Sequence, residues 1–376
     1  MENYAMKRAW LLISILVGAV YGDTSDFSII FLGDIHFDRI EHHDFSWLES
    51  NRSDDVIRQV KNYCKITNEN LPLLINTIRS VYEQAIPPVS YFMQIGDFTE
   101  GLCGNYSLAK KQLREFISYI DSASLGAPFC VVQGNHDITG PGSEEAYIEI
   151  IYPWIEKQIG FTPVNGCYSL PQGNVLFLFY NCYDDKSLDW LEKTINQSNQ
   201  KEFVVLCHEP VVPFQARSNW IQFASESEAI KRGDVQENKD KRLRLLNILG
   251  QARATVLCGH LHDFGVVARK TEKGTFVQLT FNAVLSNTDN TIRNHIRGIE
   301  HYNASLTDLE PSFSPETLKE RKMILEAEKP FISYYEFADT FGFVRLVFSN
   351  DDVVAEVYVG TDTREWRSIN LSELKR

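Results

Sequence analysis

Six short apolar runs punctuate this chain, at residues 27–32, 89–95, 129–132, 175–180, 203–207 and 255–258. Each is four to seven residues long, mostly β-branched or aromatic, with little apolar–polar alternation. Strands covered on both faces look like this, because neither face has to meet water. Between the runs lie stretches of helical period. Leu113, Phe116, Ile117 and Ile120 follow the i, i+3, i+4, i+7 rule with Ser107 as N-cap, and residues 56–65, 71–84, 144–157 and 241–249 are similar. Strand–helix alternation of this kind predicts an α/β sandwich with covered sheets.

Beyond His262 the texture changes. Residues 266–269 and 275–281 flank Lys273-Gly274, a hairpin signal. Residues 285–330 are polar and irregular apart from a helix expected over 315–328. Residues 334–337, 342–348 and 353–359 alternate as three antiparallel strands within a C-terminal region, 331–360. No linker divides the chain, so one domain is expected over 23–376, with 285–330 as an elaboration on its rim.

Residues 1–22 stand apart. Lys7 and Arg8 precede an apolar run of about 12 residues, shorter than the roughly 20 of a membrane span, and small Gly22 comes after it. A cleaved secretory signal is expected, hence an extracellular, periplasmic or lysosomal-lumen protein without integral membrane contact. Cleavage leaves 35 basic against 49 acidic residues, so the net charge moves from −13 to −14. An acidic chain lacks the broad positive field that a nucleic-acid polymer attracts. Export permits disulfides. Cys130, Cys207 and Cys258 end apolar runs and are expected as buried thiols, while Cys64 and Cys103 are the candidate bridge. Asn51, Asn105, Asn196, Asn303 and Asn370 open N-x-S/T sequons, a weak pointer to a glycoprotein.

The chemistry lies at the ends of the runs. They are succeeded by Gly33-Asp34-Ile35-His36, Gly96-Asp97, Gly134-Asn135-His136-Asp137, His208 and Gly259-His260-Leu261-His262. In open α/β folds the strand carboxyl ends form the ligand crevice, so these residues should converge. Carboxylate, amide oxygen and imidazole suit Zn, Mn or Fe, and the lack of Cys argues against a structural zinc site. Each element alone is weak: Gly-Asp usually marks a turn, and a lone buried His usually belongs to the core. Together, five of nine histidines fall in strand-end motifs. His42, His43, His295 and His301 have no such setting, and His42-His43 is expected in a surface loop. The basic cluster Lys239, Lys241, Arg242 and Arg244 is expected as a solvated helix face.

The order D-x-H, G-D, G-N-H-D, H, G-H-x-H resembles the calcineurin-like metallophosphoesterase superfamily over about residues 28–283. The resemblance implies a four-layer α/β sandwich of two mixed β-sheets flanked by helices, with two divalent metal ions at the strand carboxyl ends. It implies that Asp34, His36 and His262 bind one ion, that Asn135, His208 and His260 bind the other, and that Asp97 bridges both. His136, with Asp137 behind it, matches the catalytic pair. The second block reads Gly96-Asp97-Phe98-Thr99-Glu100, without the tyrosine that purple acid phosphatases place three residues after this Asp. The implied activity is phosphoester hydrolysis by a hydroxide held between the ions, with phosphomonoesters as the default substrate. A phosphodiesterase on nucleotide or lipid-headgroup substrates is the alternative, as is a catalytically silent binding module. Metal identity and oligomeric state stay open.

Overall fold

Three of the apolar runs become the parallel strands β1 (Phe27–Leu32), β2 (Val89–Gln94) and β3 (Phe129–Val131). The next three anchor a second sheet. β4 (Tyr168–Gln172) precedes β5 (Val175–Phe179), β6 (Glu202–Leu206) and β7 (Thr255–Cys258), the last three mutually parallel. β8 (Phe264–Lys270) and β9 (Thr275–Thr280) form the hairpin expected around Lys273-Gly274. β10 (Arg293–Arg297), β11 (Ile332–Asp339), β12 (Gly342–Ser349), β13 (Asp352–Val359) and β14 (Arg367–Asn370) complete the set. The orders are β14-β13-β12-β1-β2-β3 and β10-β11-β8-β9-β7-β6-β5-β4, both mixed. This computed structural model describes residues 26–225, 233–309, 315–349 and 352–376; the expected signal at 1–22 lies outside them.

The two sheets pack face to face. In β6, Val204 and Leu206 enter the core shared with Ile30, Phe92 and Leu346 of the first sheet, whereas Phe203 and Val205 point to the other side. That alternation, buried on both faces, is why the run carried no polar period. After α1 (Phe45–Asn51) and α2 (Asp54–Glu69), α3 (Leu71–Gln84), α4 (Tyr106–Ala123) and α5 (Ser143–Ile159) lie on the outer face of the first sheet. The second sheet is covered by α6 (Ser187–Gln197) and α7 (Val235–Ala252). Helix, sheet, sheet and helix make the four layers. Each fully buried side chain, such as Phe116 on α4, contributes about 1.5–3 kcal/mol. Among the described residues no helix is long and apolar enough to cross a membrane.

Several local expectations change. The N-cap of α4 is Asn105, whose side chain accepts from the Leu108 N–H at 3.1 Å, not Ser107. β11 does not join β12 and β13 but pairs antiparallel with β8 and β10, so the last strands are divided between the sheets. Cys64 and Cys103 are not bridged, and all seven cysteines are free. Cys64 sits on the buried side of a helix, Asp54–Glu69, and donates to Asp38 Oδ2 at 3.3 Å, while Cys103 donates to Gln112 Oε1 at 3.5 Å. His42 and His43 are buried rather than in a surface loop. His42 Nε2 donates to Glu115 at 3.0 Å, and both Asp38 oxygens accept from His43 Nε2 at 2.7 and 2.8 Å. Arg242 leaves the solvated face too, pairing with Glu328 at the end of the helix Pro315–Glu328.

Candidate metal centre

The first sheet delivers Asp34 and His36 after β1, Asp97 after β2, and Asn135, His136 and Asp137 after β3. The second delivers His208 after β6, and His260 and His262 after β7. These turns are tight. His36, Asp97, His260 and His262 all have left-handed backbones, with φ of 48°, 51°, 68° and 56°. Non-glycine residues rarely adopt that region, and such strain persists where surrounding structure enforces it. Gly134 shows how close the turns come: a Cβ there would lie 2.1 Å from the Asp97 nitrogen and 2.2 Å from its Oδ1.

All seven expected ligand residues converge in two groups. Asp34, His36 and His262 gather their ligand atoms within 4.8 Å of one another, and so do Asp97, His208 and His260. His36 Nε2 lies 3.0 Å from His262 Nε2, and Asp34 Oδ1 lies 3.7 Å from that same nitrogen. In the second group His208 Nε2 lies 3.0 Å from Asp97 Oδ2, 3.1 Å from Asn135 Oδ1 and 3.2 Å from His260 Nδ1. Asp97 Oδ2 is also 3.9 Å from His36 Nε2, so one carboxylate faces both groups.

His36 Nδ1–H donates to Glu100 Oε2 at 2.6 Å, and His208 Nδ1–H donates to the Ile95 carbonyl at 2.9 Å. In the neutral rings each Nε2 is therefore left as an acceptor, the atom an ion would use. Spacings of 3.0 to 3.9 Å are the edges of a polyhedron around an ion about 2.0–2.2 Å from each donor. The residues thus fit metal ions. Asp38, His43 and Cys64 also cluster, yet their 2.7 and 2.8 Å contacts are shorter than such edges and join complementary donors and acceptors. That group is a buried ion pair.

The electrostatics agree. Burial opposes charging of His208, but Asp97 and Asp34 outweigh it and lift its pKa to about 10. Burial and the neighbouring His208 push His260 down to about 3, and burial with His36 holds His262 well below 6.5. Burial raises Asp34 to about 6. Buried carboxylates and imidazoles competing for protons are what a divalent cation relieves.

His136 lies beside both groups without joining either. Burial disfavours its charge, but Glu100 and Asp97 carry its pKa well above 6.5. Asp137 does not stand behind its imidazole as expected. Asp137 accepts from the backbone N–H groups of Asp97, Thr99 and Gly134 at 2.9, 3.0 and 2.8 Å, and so clamps the β2 and β3 turns together. The carboxylate that serves His136 is Glu100, fully buried, with Oε2 3.2 Å from Nδ1 while the Glu100 carbonyl accepts at 2.9 Å. Glu100 therefore touches His36 and His136 at once. Tyr63 stacks on the His36 ring, with centroids 4.2 Å apart. Sequence reasoning assigned a role to neither, although the Asp97-x-x-Glu100 spacing was visible.

Two mixed sheets with oxygen and nitrogen donors gathered at the strand carboxyl ends define a dimetal phosphoesterase-type fold. The family model for calcineurin-like phosphoesterase matches residues 27–264, more than half of the sequence, and the chain belongs to that family. No curated protein matches the sequence. Among solved structures, purple acid phosphatase PPD1 from yellow lupin is similar at 12% identity and TM-score 0.52, over 93% of this chain and 54% of that one. This chain thus spans about half the length of the lupin enzyme. PhoD is similar at 12% identity and TM-score 0.51, over 93% and 69% of the two chains. GAP50, the anchor in the inner membrane complex of Plasmodium, is similar at 12% and 0.50, over 92% and 89%. At such identity these likenesses speak to the fold alone.

Proposed function

We propose that this protein is a metal-dependent phosphoester hydrolase with phosphomonoesters as its default substrates, acting in the compartment to which residues 1–22 would export it. The observation that carries the proposal is the convergence of potential ligand atoms from seven residues beside the His136 imidazole, whose Nδ1 is held by Glu100. Asp34, His36 and His262 would hold one divalent ion, Asn135, His208 and His260 the other, with Asp97 shared. When bound, such an ion pair neutralises phosphoryl charge and acidifies water.

The chain's own groups do the rest. Asp97 faces both ligand groups through Oδ2, while its Oδ1 accepts from the His136 backbone N–H at 2.7 Å and seats that residue beside them. Because Nδ1 of His136 is held by Glu100, Nε2 is the nitrogen left to give a proton to the leaving oxygen. General acid catalysis of this kind is worth about 10²–10⁴-fold. With no ligand position lost, activity is favoured over a silent binding module. The test is hydrolysis of p-nitrophenyl phosphate and its bis ester after Mn or Zn loading, alongside His136→Ala. The variant should bind metal at wild-type stoichiometry and lose most turnover; wild-type turnover in it would remove His136 from the mechanism. Faster hydrolysis of the bis ester would reverse the preference for monoesters.

A further inference from the structure

The His36 imidazole is held on its face as well as at its edge. Its Nδ1–H donates to Glu100 Oε2 at 2.6 Å, which fixes the tautomer and leaves Nε2 for an ion. The buried Tyr63 ring lies flat on the same imidazole, with centroids 4.2 Å apart and planes 5° from parallel. His136 and His262 meet it edge-on instead, at 4.7 and 4.9 Å with planes 81° and 67° apart. A hydrogen bond at one ring edge constrains where Nδ1 lies but little of the ring's tilt about that contact. A flat neighbour fixes the tilt, and with it the direction in which Nε2 points.

The sequence brings Tyr63 there through α2. Val60, Tyr63, Cys64 and Thr67 occupy i, i+3, i+4 and i+7 of that helix, and all four are buried. Thr67, one turn beyond Tyr63, grips the backbone around His36: its Oγ1 accepts from the Asp38 N–H at 2.9 Å and donates to the His36 carbonyl at 3.4 Å. The helix is thereby keyed to the turn after β1, and the phenol ring comes into register with the imidazole. Tyr63 also packs with Ile66 and Val284, next to Ala283, whose N–H donates to the Asp34 carbonyl at 3.1 Å. A close parallel stack suits an electron-rich ring against an electron-poor one, and an imidazole becomes electron-poor when its Nε2 binds a cation.

We propose that Tyr63 is a positioning residue for the first ligand group, its ring setting the His36 imidazole for the ion that Asp34, His36 and His262 would hold. This rests on the metal-site part of the phosphohydrolase reading and does not require turnover. Stepwise Mn binding to the full chain, followed by loss of the free-ion signal in electron paramagnetic resonance, reads both sites without a substrate. Tyr63→Leu should weaken one step by about 2- to 12-fold, the range for removing a stacked aromatic partner, and leave the other unchanged. Tyr63→Phe, which keeps the ring, should bind as the wild type does. In a His260→Ala background, with the second group broken, Tyr63→Leu should still weaken the remaining ion; in His262→Ala it should not. Two unchanged steps in Tyr63→Leu would leave the ring idle, and equal weakening of both would make it a general packing residue. The same loss in Tyr63→Phe would move the role to the hydroxyl. Each of these three results would overturn the proposal. If Tyr63→Leu does not fold, Tyr63→Met replaces it and the same outcomes decide. A wild type that binds no Mn or Zn would remove the metal-site reading and this proposal with it. Two bound ions without hydrolysis of either ester would remove the hydrolase reading alone, and the affinities would still decide the role of Tyr63.

Discussion

Glu100→Gln keeps the shape of a buried side chain and removes its charge. In the wild type, Glu100 Oε2 accepts from His36 Nδ1–H at 2.6 Å and faces His136 Nδ1–H at 3.2 Å. The amide has one acceptor oxygen, and its NH₂ repels any imidazole N–H that it faces. Both imidazoles use the same oxygen, so the amide oxygen can face both while its NH₂ takes the place of Oε1, and what both rings lose is the charge on their partner. A hydrogen bond to a charged group contributes about 1.5–3 kcal/mol, which corresponds to roughly 10- to 100-fold in rate. Turnover of p-nitrophenyl phosphate should therefore fall by about that factor. Metal affinity, measured by dialysis against buffered zinc and elemental analysis, should weaken by less than the roughly 10- to 100-fold typical of losing a carboxylate behind a metal-binding imidazole. Because Glu100 helps hold His136 protonated, the alkaline limb of the kcat profile should also move to lower pH. Unchanged kcat and an unmoved alkaline limb would refute the link. A loss of metal without loss of kcat in the remaining holoenzyme would place the weakened contact at His36 instead.

Gly134→Ala forces a Cβ to within 2.2 Å of the Asp97 backbone nitrogen and Oδ1, so the shared carboxylate must move. Metal content and activity should fall together, and a fully loaded, active variant would show that the turn can yield. Chelation should abolish activity and lower the thermal midpoint; readdition to about 100 Kd should restore about 2.7 kcal/mol per independent site, visible by calorimetry. Burial opposes the charge on His43, but Asp38 raises its folded pKa above 6.5. Its contribution to stability is thus complete below that value and lost as pH rises through the folded pKa. Urea titrations across neutral pH should show this loss in the wild type and not in Asp38→Asn; identical slopes would discard the pair as a source of pH dependence.

The strand-end motifs were legible because the sequence places each ligand next to the apolar run that carries it. Alternation, however, marks a strand without naming its partner, so β11 reads like β12 and β13 although it belongs to the other sheet. β4 escaped because YSLPQ, an edge strand, has polar positions and a proline. Glu100 lay in plain sight, but its role exists only because folding brings it to His36, 64 residues away, and to His136. His42 and His43 look polar and superficial until Asp38 and Glu115 satisfy them inside. Asp137 sits next to His136 in sequence, yet its carboxylate turns to backbone N–H groups, so adjacency misassigned its partner.

The pairing of β1 with β12 has a bearing on how the chain is made. Arg345 on β12 donates to Ser28 on β1 across 317 residues. Until β12 leaves the ribosome, one edge of β1 carries unpaired amides beside a buried apolar face. At typical synthesis rates that interval is roughly 15–60 s. An open edge of this kind recruits other strands. That edge of β1 therefore closes only when nearly the whole chain has been made, although β2 and β3 can already pair on its other side.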